Sequence, residues 1–316
     1  MVVLVSGGAG FIGSHVCEAL LKEGKQVICI DDLNDYYDPR YKQENIVALK
    51  SKNFVHYKAD ITNFSQIRSI FQKNKISNVV HLAARVGIRH SLQKPQLYEK
   101  TNILGTLHLL LLAKKYATRN FIFGSSSSVY GNSKAPFKEG AKTSLPLNPY
   151  AMTKLAGEML CYSFSSRYEM STTCLRFFSV YGPRGRPDMA PYIFTQNNIQ
   201  RKEIMLFGDG TNRRDYTHVF DITQGILKAL ETRGSFETIN LGNSKPISLS
   251  ELIKKIEDCT GKKTIIKQQN SLEHEAKITS AHISKAKRLL NWTPTVRFEK
   301  GIEHFVSWYQ ENRVSS

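Results

Sequence analysis

Cysteine is scarce in this sequence, and the few cysteines present are scattered. The 316 residues contain five of them, an odd number, widely separated and embedded in apolar segments. A disulfide framework and a zinc ribbon both need even sets of cysteines at characteristic spacings, so neither fits. The nine histidines show no metal-ligand spacing either. We therefore expect a reducing compartment, the cytoplasm, and no metal site.

Long hydrophobic runs are also lacking. The longest run, residues 107–113, is far shorter than the roughly 20 residues that a membrane-spanning helix needs. The opening stretch Met1–Val5 carries no basic residue, and a glycine cluster follows at once. A secretory signal peptide would need a basic start and a continuing apolar region there. The sequence thus predicts neither a membrane span nor a signal peptide.

Acidic residues are the minority among the charged ones. The chain has 27 Asp and Glu against 44 Lys and Arg, which gives a net charge of +17. Such an excess is typical of proteins that meet nucleic acid, acidic membranes or anionic small substrates. It forms no basic tail, because residues 244–316 carry +5 and residues 1–243 carry +12. We interpret the excess as solvated surface, with a nucleic-acid face as the alternative.

Short apolar runs alternate regularly with helix-length segments along the sequence, a pattern typical of βαβ units. This pattern predicts an α/β fold: a doubly wound parallel Rossmann sheet with a smaller, interleaved C-terminal substrate domain. The runs that we interpret as strands are Val2–Ser6, Gln26–Asp31, Phe54–Lys58, Asn78–Leu82, Asn120–Gly124 and Thr172–Phe178.

A glycine-rich turn follows the first strand and leads into a helix. Gly7 permits the tight turn, Gly10 lets the backbone approach a pyrophosphate, and Gly13 lets helix and sheet pack closely. Asp31 closes the next strand, where its carboxylate would accept hydrogen bonds from an adenosine ribose and repel a 2′-phosphate. Strand, glycines, helix and acid occur in the required order, so the sequence predicts a site for NAD rather than NADP.

The pattern breaks up after residue 181 and then resumes. We expect an NAD-binding domain over residues 1–178, to which the chain returns at about 214–243, and a substrate domain over 179–213 and 244–316. Within the second part we predict a hairpin around residues 208–210 and a strand at Thr238–Leu241. A capping box at residues 248–251 predicts a helix that ends near Gly261.

Tyr150 and Lys154 stand four residues apart at the start of a predicted helix, so their side chains share one face. The serines of Ser125–Ser128 end the fifth strand, at the sheet edge where such folds bind ligands. A phenol with an ordinary pKa of about 10 becomes a base at neutral pH only beside positive charge. Lys154 and an oxidised nicotinamide would supply that charge. By themselves, Tyr150 and Lys154 would be interpreted as an ordinary pair on a helix surface. Together with the glycine-rich turn and the serines at the strand end, they indicate a catalytic site.

Together these motifs resemble the extended short-chain dehydrogenase/reductase family, and within it the nucleotide-sugar 4-epimerases, most closely those that act on UDP-glucuronate. The resemblance extends over nearly the whole chain. The segments that carry it are Gly7–Gly13, Asp60–Ile61, His81–Ala84, Asn102, Ser125–Gly131, Tyr150 with Lys154, and Arg214–Tyr216.

The resemblance implies a set of site residues. Catalysis would rest on Tyr150, Lys154 and Ser126. NAD would be held by Gly7, Gly10, Phe11, Ile12, Gly13, Asp31, Asp32, Asn34, Asp60, Ile61, Leu82, Ala83, Ala84, Asn102, Tyr150 and Lys154. The UDP-sugar would be held by Arg89, Ser126, Ser127, Tyr150, Ser179, Arg186, Arg214 and Glu275. The helices around Thr101–Tyr116 and Ala151–Tyr168 would form a four-helix interface in a homodimer.

Two absences favour epimerisation within this family. Related 4,6-dehydratases carry Asp-Glu where this chain has Ser127 and Ser128, and UDP-glucuronate decarboxylases typically carry glutamate in place of Ser128. Serine cannot replace those proton-transfer groups. The resemblance therefore leaves a reaction that needs only hydride transfer and one base.

The segment at residues 177–189 resembles that of glucuronate-specific epimerases. By that resemblance Arg186 would grip the sugar carboxylate and Ser179 would donate a further hydrogen bond. The alternative is that Arg184 and Arg186 are loop charges or diphosphate ligands. Two positions depart from the pattern, since Ser179 stands where threonine is usual and Glu275 where an aspartate is expected.

The hypothesis from the sequence is NAD-dependent C4 epimerisation of UDP-glucuronate to UDP-galacturonate through a 4-keto intermediate. Tyr150, helped by Ser126, would take the proton of the sugar 4-hydroxyl as a hydride leaves C4. Arg186 and Ser179 would hold the carboxylate at an angle that disfavours loss of carbon dioxide. The alternatives are a 4-epimerase of UDP-glucose or UDP-N-acetylglucosamine and a non-catalytic, nucleic-acid-binding relative.

Overall fold

The computed structural model describes residues 1–141, 145–270 and 277–314. In chain order the strands are β1 Val2–Ser6, β2 Gln26–Asp31, β3 Phe54–Lys58, β4 Asn78–His81, β5 Asn120–Ser126, β6 Ser171–Phe177, β7 Ser179–Tyr181, β8 Glu203–Phe207, β9 Arg213–His218, β10 Phe236–Leu241, β11 Pro246–Ser248 and β12 Ile265–Gln269.

Helices separate most of these strands. They are α1 Phe11–Lys22, α2 Pro39–Ala48, α3 Phe64–Lys73, α4 Ile88–Gln93, α5 Pro95–Tyr98, α6 Gly105–Lys115, α7 Pro149–Tyr168, α8 Ala190–Ile199, α9 Val219–Glu231, α10 Leu249–Thr260, α11 Ser284–Leu290 and α12 Phe298–Tyr309. A π-helical turn, Glu99–Leu104, joins α5 to α6, and a short 3₁₀ turn, Ser127–Tyr130, follows β5.

A parallel sheet of seven strands, in the order β10-β6-β5-β4-β1-β2-β3, forms the centre of the molecule. Its two faces bury separate apolar clusters: along β1, Val3 and Val5 belong to one and Leu4 to the other. Successive side chains of a strand point to opposite faces. Helices on both sides leave the central strands without a solvent-facing side, so they carry near-continuous apolar runs. The predicted doubly wound fold is confirmed.

The strand order reverses between β1 and β4. In open α/β sheets, ligands bind at such a switch point, beyond the carboxyl ends of the strands. A cleft opens there, lined by segments that follow the first five strands, including Gly7, Asp31, Asp60, Ala83 and Ser126. The sheet therefore brings together residues that are far apart in sequence.

A smaller layer contains two further sheets. Strand β9 lies between β7, which runs parallel to it, and β11, which runs antiparallel. Strand β8 pairs in parallel with β12. Their apolar side chains pack with those of α8, α10 and α12 in a third cluster that includes Tyr181, Ile204, Leu252 and Phe298. The domain boundaries stay a prediction; strand pairing places β10 in the large sheet and β9 in the small one.

The predicted hairpin around residues 208–210 is wrong. Gly208 and Gly210 do form a turn with positive φ angles of 75° and 79°. The strands on either side, however, pair with other partners: β8 with β12, and β9 with β7 and β11. Local turn chemistry predicts a reversal of the chain but not which strand edge accepts the hydrogen bonds. The predicted capping box is confirmed, with α10 capped by Ser248 and Glu251 and ended by Gly261.

No helix in the described ranges is long and apolar enough to cross a membrane.

Candidate active site

The glycine-rich turn packs backbone against backbone. Gly7 has a φ of +72°, and a Cβ atom there would lie 2.7 Å from the amide nitrogen of Ala83. A Cβ atom at Gly13 would lie 2.0 Å from the carbonyl oxygen of Gly7. Contacts that close are forbidden to any side chain, so the turn demands glycine at both positions. A Cβ atom at Gly10 would meet only that same carbonyl oxygen, at 3.2 Å.

The N-terminus of α1 fits a phosphate group. The helix begins after Gly10 without a side-chain hydrogen bond to its first turn, and Phe11, Ile12 and Gly13 line the cleft. The first amides of a helix have no partner within it, and the helix dipole favours an anion at this end. A residue with a capping side chain would occupy the position that a pyrophosphate needs.

Asp31 lies at the end of β2 with 6% of its surface exposed. Its carboxylate accepts hydrogen bonds from the amides of Ala9 (3.2 Å) and Leu33 (2.9 Å). Burial raises the pKa of Asp31, and the charge of Lys42 opposes that rise. The two amides hold the carboxylate in one orientation, and each oxygen keeps a lone pair for a ribose hydroxyl.

The adjoining residues complete this side of the cleft. Asp32 pairs with Arg85 at 3.5 Å, and its carboxylate accepts a hydrogen bond of 3.1 Å from the amide of Asn34. The remaining predicted NAD residues that line the cleft are Asp60, Ile61, Leu82, Ala83 and Ala84.

Asn102 does not line the cleft. Its buried side chain accepts a hydrogen bond from the amide of Arg85 (2.7 Å) and donates to the carbonyl of Arg85 (3.0 Å) and to the hydroxyl of Thr153 (2.9 Å). It therefore ties the loop after β4 to helix α7. The contacts of Asn102 position that loop, and its predicted part in holding NAD stays a prediction.

Tyr150 lies in the first turn of α7, which is capped by Asn148. Burial raises the pKa of Tyr150, while a hydrogen bond with Ser126 and the charge of Arg186 both act to lower it. The hydroxyl oxygen of Ser126 also accepts a hydrogen bond of 3.1 Å from the amide of Ser128. The structure thus brings together a phenol, a hydroxyl and a guanidinium, as a proton-abstracting site needs.

Lys154 lies one turn further along α7 and is buried. Its ammonium group donates a hydrogen bond of 2.7 Å to the carbonyl oxygen of Gly124, at the end of β5. Burial lowers the pKa of Lys154 to about 8, and the charge of Glu158 opposes that fall. The structure places the ammonium in the cleft wall, and its action on the Tyr150 phenol stays a prediction.

Arg186 lies in the cleft and is already paired. Its Nε and Nη2 atoms donate to the two carboxylate oxygens of Asp188, at 2.9 and 2.8 Å. Tyr36 donates its hydroxyl proton to the same carboxylate at 3.1 Å. The predicted grip of Arg186 on a sugar carboxylate stays a prediction, and any such contact would be made by a guanidinium that Asp188 already holds.

Four other predicted substrate residues, Arg89, Ser127, Ser179 and Arg214, are not among those that line this cleft. Arg89 is exposed on α4 and its guanidinium covers the ring of Phe207 at 4.7 Å. Arg214, on β9, donates to the carbonyl of Arg213 at 3.1 Å. Ser127 begins the turn after β5, and Ser179 begins β7. Their contacts with a sugar nucleotide stay predictions, and Glu275 lies outside the described residues.

Comparison with known proteins places the chain in a family. Residues 4–305 match the family model described as GDP-mannose 4,6 dehydratase. Over 311 residues the chain is 45% identical to a UDP-glucuronate 4-epimerase from Thermodesulfobacterium geofontis. The alignment covers 98% of this chain and 96% of that relative. This chain belongs to the GDP-mannose 4,6 dehydratase family, of the extended short-chain dehydrogenases/reductases.

Solved structures of epimerases share the fold. The UDP-glucuronic acid 4-epimerase from Bacillus cereus, crystallised with UDP-glucuronic acid and NAD, superposes with a TM-score of 0.93 at 37% identity, covering 98% of this chain and 99% of that one. The UDP-glucose 4-epimerase from Thermotoga maritima, crystallised with UDP-glucose, gives a TM-score of 0.91 at 32% identity with the same coverage. The predicted resemblance to nucleotide-sugar 4-epimerases is confirmed.

Sequence reasoning missed three residues that this member of the family places in or beside the cleft: Tyr36, Arg85 and Asp188. Two of them, Tyr36 and Arg85, lie in the loops that follow β2 and β4. The rule that ligands bind beyond the carboxyl ends of parallel strands would have drawn attention to both segments. Asp188 carried a weaker signal, an acid two residues after a predicted ligand arginine.

Proposed function

We propose that this protein is an NAD-dependent 4-epimerase that converts UDP-glucuronate into UDP-galacturonate. The observation that carries the proposal is the position of Arg186, whose charge acts on the phenol of Tyr150 in one cleft. A guanidinium beside the base suits a sugar that carries a carboxylate. The epimerases of Thermodesulfobacterium geofontis and Bacillus cereus, both named for UDP-glucuronate, support the same substrate.

The residues present fit NAD. The N-terminus of α1, which no side chain caps, suits the pyrophosphate. Gly7 and Gly13 have no side chain and so permit the tight turn that leads into this helix. Asp31 suits the adenosine ribose. When bound, NAD supplies a reversible two-electron oxidant for C4 of the sugar, so no net redox change occurs.

Tyr150 acts as the base toward the 4-hydroxyl proton. Ser126, hydrogen-bonded to the phenol, and Arg186, a nearby cation, both stabilise the phenolate against the effect of burial. Lys154 keeps most of its charge at neutral pH, because burial lowers its pKa only to about 8. When C4 is reduced from the opposite face, Tyr150 returns the proton to its oxygen.

Arg186 restrains the sugar carboxylate. The 4-keto form of glucuronate is a β-keto acid, which loses carbon dioxide when the bond to the carboxylate stands perpendicular to the carbonyl plane. A paired guanidinium holds a carboxylate in a fixed plane. Restraint of that plane keeps the reaction on the path to UDP-galacturonate.

The test is to incubate the purified protein separately with UDP-glucuronate, UDP-glucose and UDP-N-acetylglucosamine and to separate the products by chromatography. We expect UDP-galacturonate from the first substrate and much slower turnover of the other two. Faster turnover of either neutral sugar would replace this proposal with a neutral-sugar epimerase. No turnover of any of the three would favour a non-catalytic relative.

The variant Arg186→Ala separates a carboxylate ligand from a diphosphate ligand. Loss of one charged hydrogen-bond partner costs roughly 1.5–3 kcal/mol, or about ten- to a hundredfold in kcat/KM. A carboxylate role predicts a larger loss for UDP-glucuronate than for UDP-glucose, on which only the loss of phenolate stabilisation would act. Equal losses on both substrates would indicate that Arg186 acts only in ways common to both sugars, on the phenolate of Tyr150 or on the diphosphate, since both carry the same UDP.

The five unpaired thiols, four of them buried, support a reducing cytoplasm as the compartment in which the enzyme works.

A further inference from the structure

The way in which Arg186 is held leaves one of its edges free. A guanidinium has five N–H donors in a planar fork. Asp188 takes the Nε donor and one Nη2 donor. The other Nη2 donor and the Nη1 pair lie along the end of the fork. Two parallel N–H groups there match the two oxygens of one carboxylate.

Tyr36 fixes Asp188 from the other side of the cleft. Its hydroxyl donates to Asp188 at 3.1 Å, and its ring lies edge-on to His90 with 5.2 Å between centroids. The hydroxyl also lies directly above Gly87, where a Cβ atom would come within 2.5 Å of it. Tyr36 belongs to the loop after β2, and Asp188 to the segment after β7. The contact therefore joins two loops that are far apart in sequence.

The charges favour this arrangement. Burial acts to raise the pKa of Asp188, but the Arg186 guanidinium and the Tyr36 hydroxyl outweigh it and hold that pKa below its ordinary value. Burial and the charge of Asp188 raise the pKa of Tyr36 to about 12, so its hydroxyl remains a donor. Asp188 is therefore a carboxylate that accepts from both neighbours at neutral pH.

We propose that Asp188 and Tyr36 are positioning residues that set the plane of the Arg186 guanidinium and thereby make the enzyme specific for an acidic sugar. This inference rests on the proposed function. A carboxylate bound to the free end of the fork lies in the plane of the guanidinium, and Asp188 fixes that plane from the opposite edge. A loosely held Arg186 would still attract the uronate but would not control the angle of its carboxylate.

Loss of that control has a chemical consequence. In the 4-keto sugar, the C5–C6 bond breaks, carbon dioxide leaves, and the electron pair remains as the enolate of the 4-ketone. Water then protonates C5 to give a UDP-4-keto-pentose. Bound NAD is the oxidant that forms the 4-ketone in the proposed reaction. Return of the hydride to C4 would convert this ketone into a UDP-pentose. Either pentose product is therefore a direct readout of the angle of the carboxylate.

The test compares Asp188→Asn and Tyr36→Phe with Asp188→Glu, as a conservative rescue, and with Asp35→Asn. Asp35 is exposed on the same loop as Tyr36, so its variant makes the same change in charge without touching Arg186. For each variant, kcat, KM and Kd would be measured with UDP-glucuronate and UDP-glucose, together with the yield of UDP-pentose. Tyr36→Phe removes only a hydroxyl group, which keeps the test valid if Asp188→Asn folds poorly.

We expect Asp188→Asn and Tyr36→Phe to lower kcat/KM for UDP-glucuronate by roughly tenfold, mainly through kcat, and to raise the UDP-pentose yield. Losses on UDP-glucose should be several times smaller, and Asp188→Glu should recover part of the activity. Equal losses on both sugars would overturn the inference. Tighter binding of UDP-glucuronate by Asp188→Asn without UDP-pentose would also overturn it, because Asp188 would then be a competitor. A wild-type enzyme inactive on UDP-glucuronate would overturn the proposed function as well.

Discussion

At the scale of single residues, the chemistry depends on how the surroundings change the pKa of Tyr150. Burial raises the pKa of Tyr150 above its ordinary value even with Ser126 and Arg186 nearby, so the phenol is protonated at neutral pH without further positive charge. Ser126 and Arg186 oppose burial before any cofactor binds. Arg186 is thus a cation that acts on the phenol. The action of Lys154 and of an oxidised nicotinamide, expected from the sequence, stays a prediction. Arg186 has two tasks in the proposed reaction, since it stabilises the phenolate and holds the sugar carboxylate.

Replacement of Tyr150 by phenylalanine removes the proposed base and leaves the cleft almost unchanged in volume. We expect turnover of UDP-glucuronate to fall by roughly a hundredfold or more, because general acid–base catalysis contributes about 10²–10⁴ in rate. Binding of UDP-glucuronate, measured by calorimetry, should change little. Tyr168→Phe, at the exposed end of the same helix, is the matched control. Near-normal turnover by Tyr150→Phe would require a different base.

At the scale of elements, helix α7 carries both Tyr150 and Lys154, and several contacts tie it to the sheet. Lys154 bonds to the carbonyl of Gly124, and Glu158 accepts hydrogen bonds from Ser125 and from Arg176, the latter at 2.8 and 2.7 Å. These contacts join α7 to β5 and β6. The base is therefore positioned by rigid elements, while Arg186 and Tyr36 lie on loops.

The turn between β1 and α1 gives a prediction about packing. Alanine at position 13 would place its Cβ atom 2.0 Å from the backbone oxygen of Gly7, which cannot move without disturbing the turn. We expect Gly13→Ala to lose bound NAD and to lower the free energy of unfolding by about 1–3 kcal/mol, the usual cost of overpacking. NAD released on denaturation and a urea titration measure the two effects.

The control for that variant is Gly234→Ala, because a Cβ atom at Gly234 would meet nothing within 4 Å. It should retain NAD and unfold like the wild type. Retention of NAD by Gly13→Ala at the wild-type level would show that the turn tolerates a side chain, contrary to the role given to Gly13.

At the scale of the whole molecule, apolar side chains on two adjoining helices point to association. Met152, Met159 and Tyr162 of α7 are 42%, 66% and 58% exposed, and they recur at helical spacing. Leu111 of the neighbouring α6 is 40% exposed. We predict a homodimer that buries this face, with a two-fold axis between the paired helices. Sedimentation at micromolar concentration should give twice the chain mass.

A charge introduced on that face should break the dimer. Met159→Glu would bury an unpaired carboxylate in the interface, so we expect it to sediment as a monomer. Glu169→Gln, at an exposed residue just beyond the helix, is a control that should remain dimeric. A wild-type monomer would contradict the prediction directly.

Buried histidines predict how stability depends on pH. Burial lowers the pKa of His15 and of His81 to about 3 and that of His218 to about 4. In the unfolded chain these groups titrate near 6.5. Below that pH the unfolded state binds more protons than the folded state. The free energy of unfolding therefore decreases as the pH is lowered, until the folded pKa values are reached.

Each buried histidine should therefore reduce the free energy of unfolding by up to about 1.4 kcal/mol per pH unit below 6.5. Urea titrations at pH 7.5, 6.5, 5.5 and 4.5 measure this slope. We expect the free energy of unfolding of His81→Asn to depend less steeply on pH, by the equivalent of about one bound proton. Variants of exposed residues should keep the wild-type slope. An unchanged slope in His81→Asn would contradict the assignment of a buried, neutral His81.

Much of the fold and part of the site followed from local patterns. The strands of the parallel sheet, the glycine turn and the shared face of Tyr150 and Lys154 all depend on spacings within one or two elements. The capping box that starts α10 is of the same kind. Periodicity and sterics act over a few residues, so a single sequence determines such features.

Tertiary structure alone decided the remaining features. Strand β8 pairs with β12 and not with β9, which follows it in the chain. The side chain of Asn102 is buried and hydrogen-bonds to the loop at Arg85. The contact from Tyr36 to Asp188 joins residues 152 positions apart. Such partners are selected by which edges and polar groups remain free once the sheet has formed. No local spacing in the chain carries that information, because it depends on how distant segments pack together.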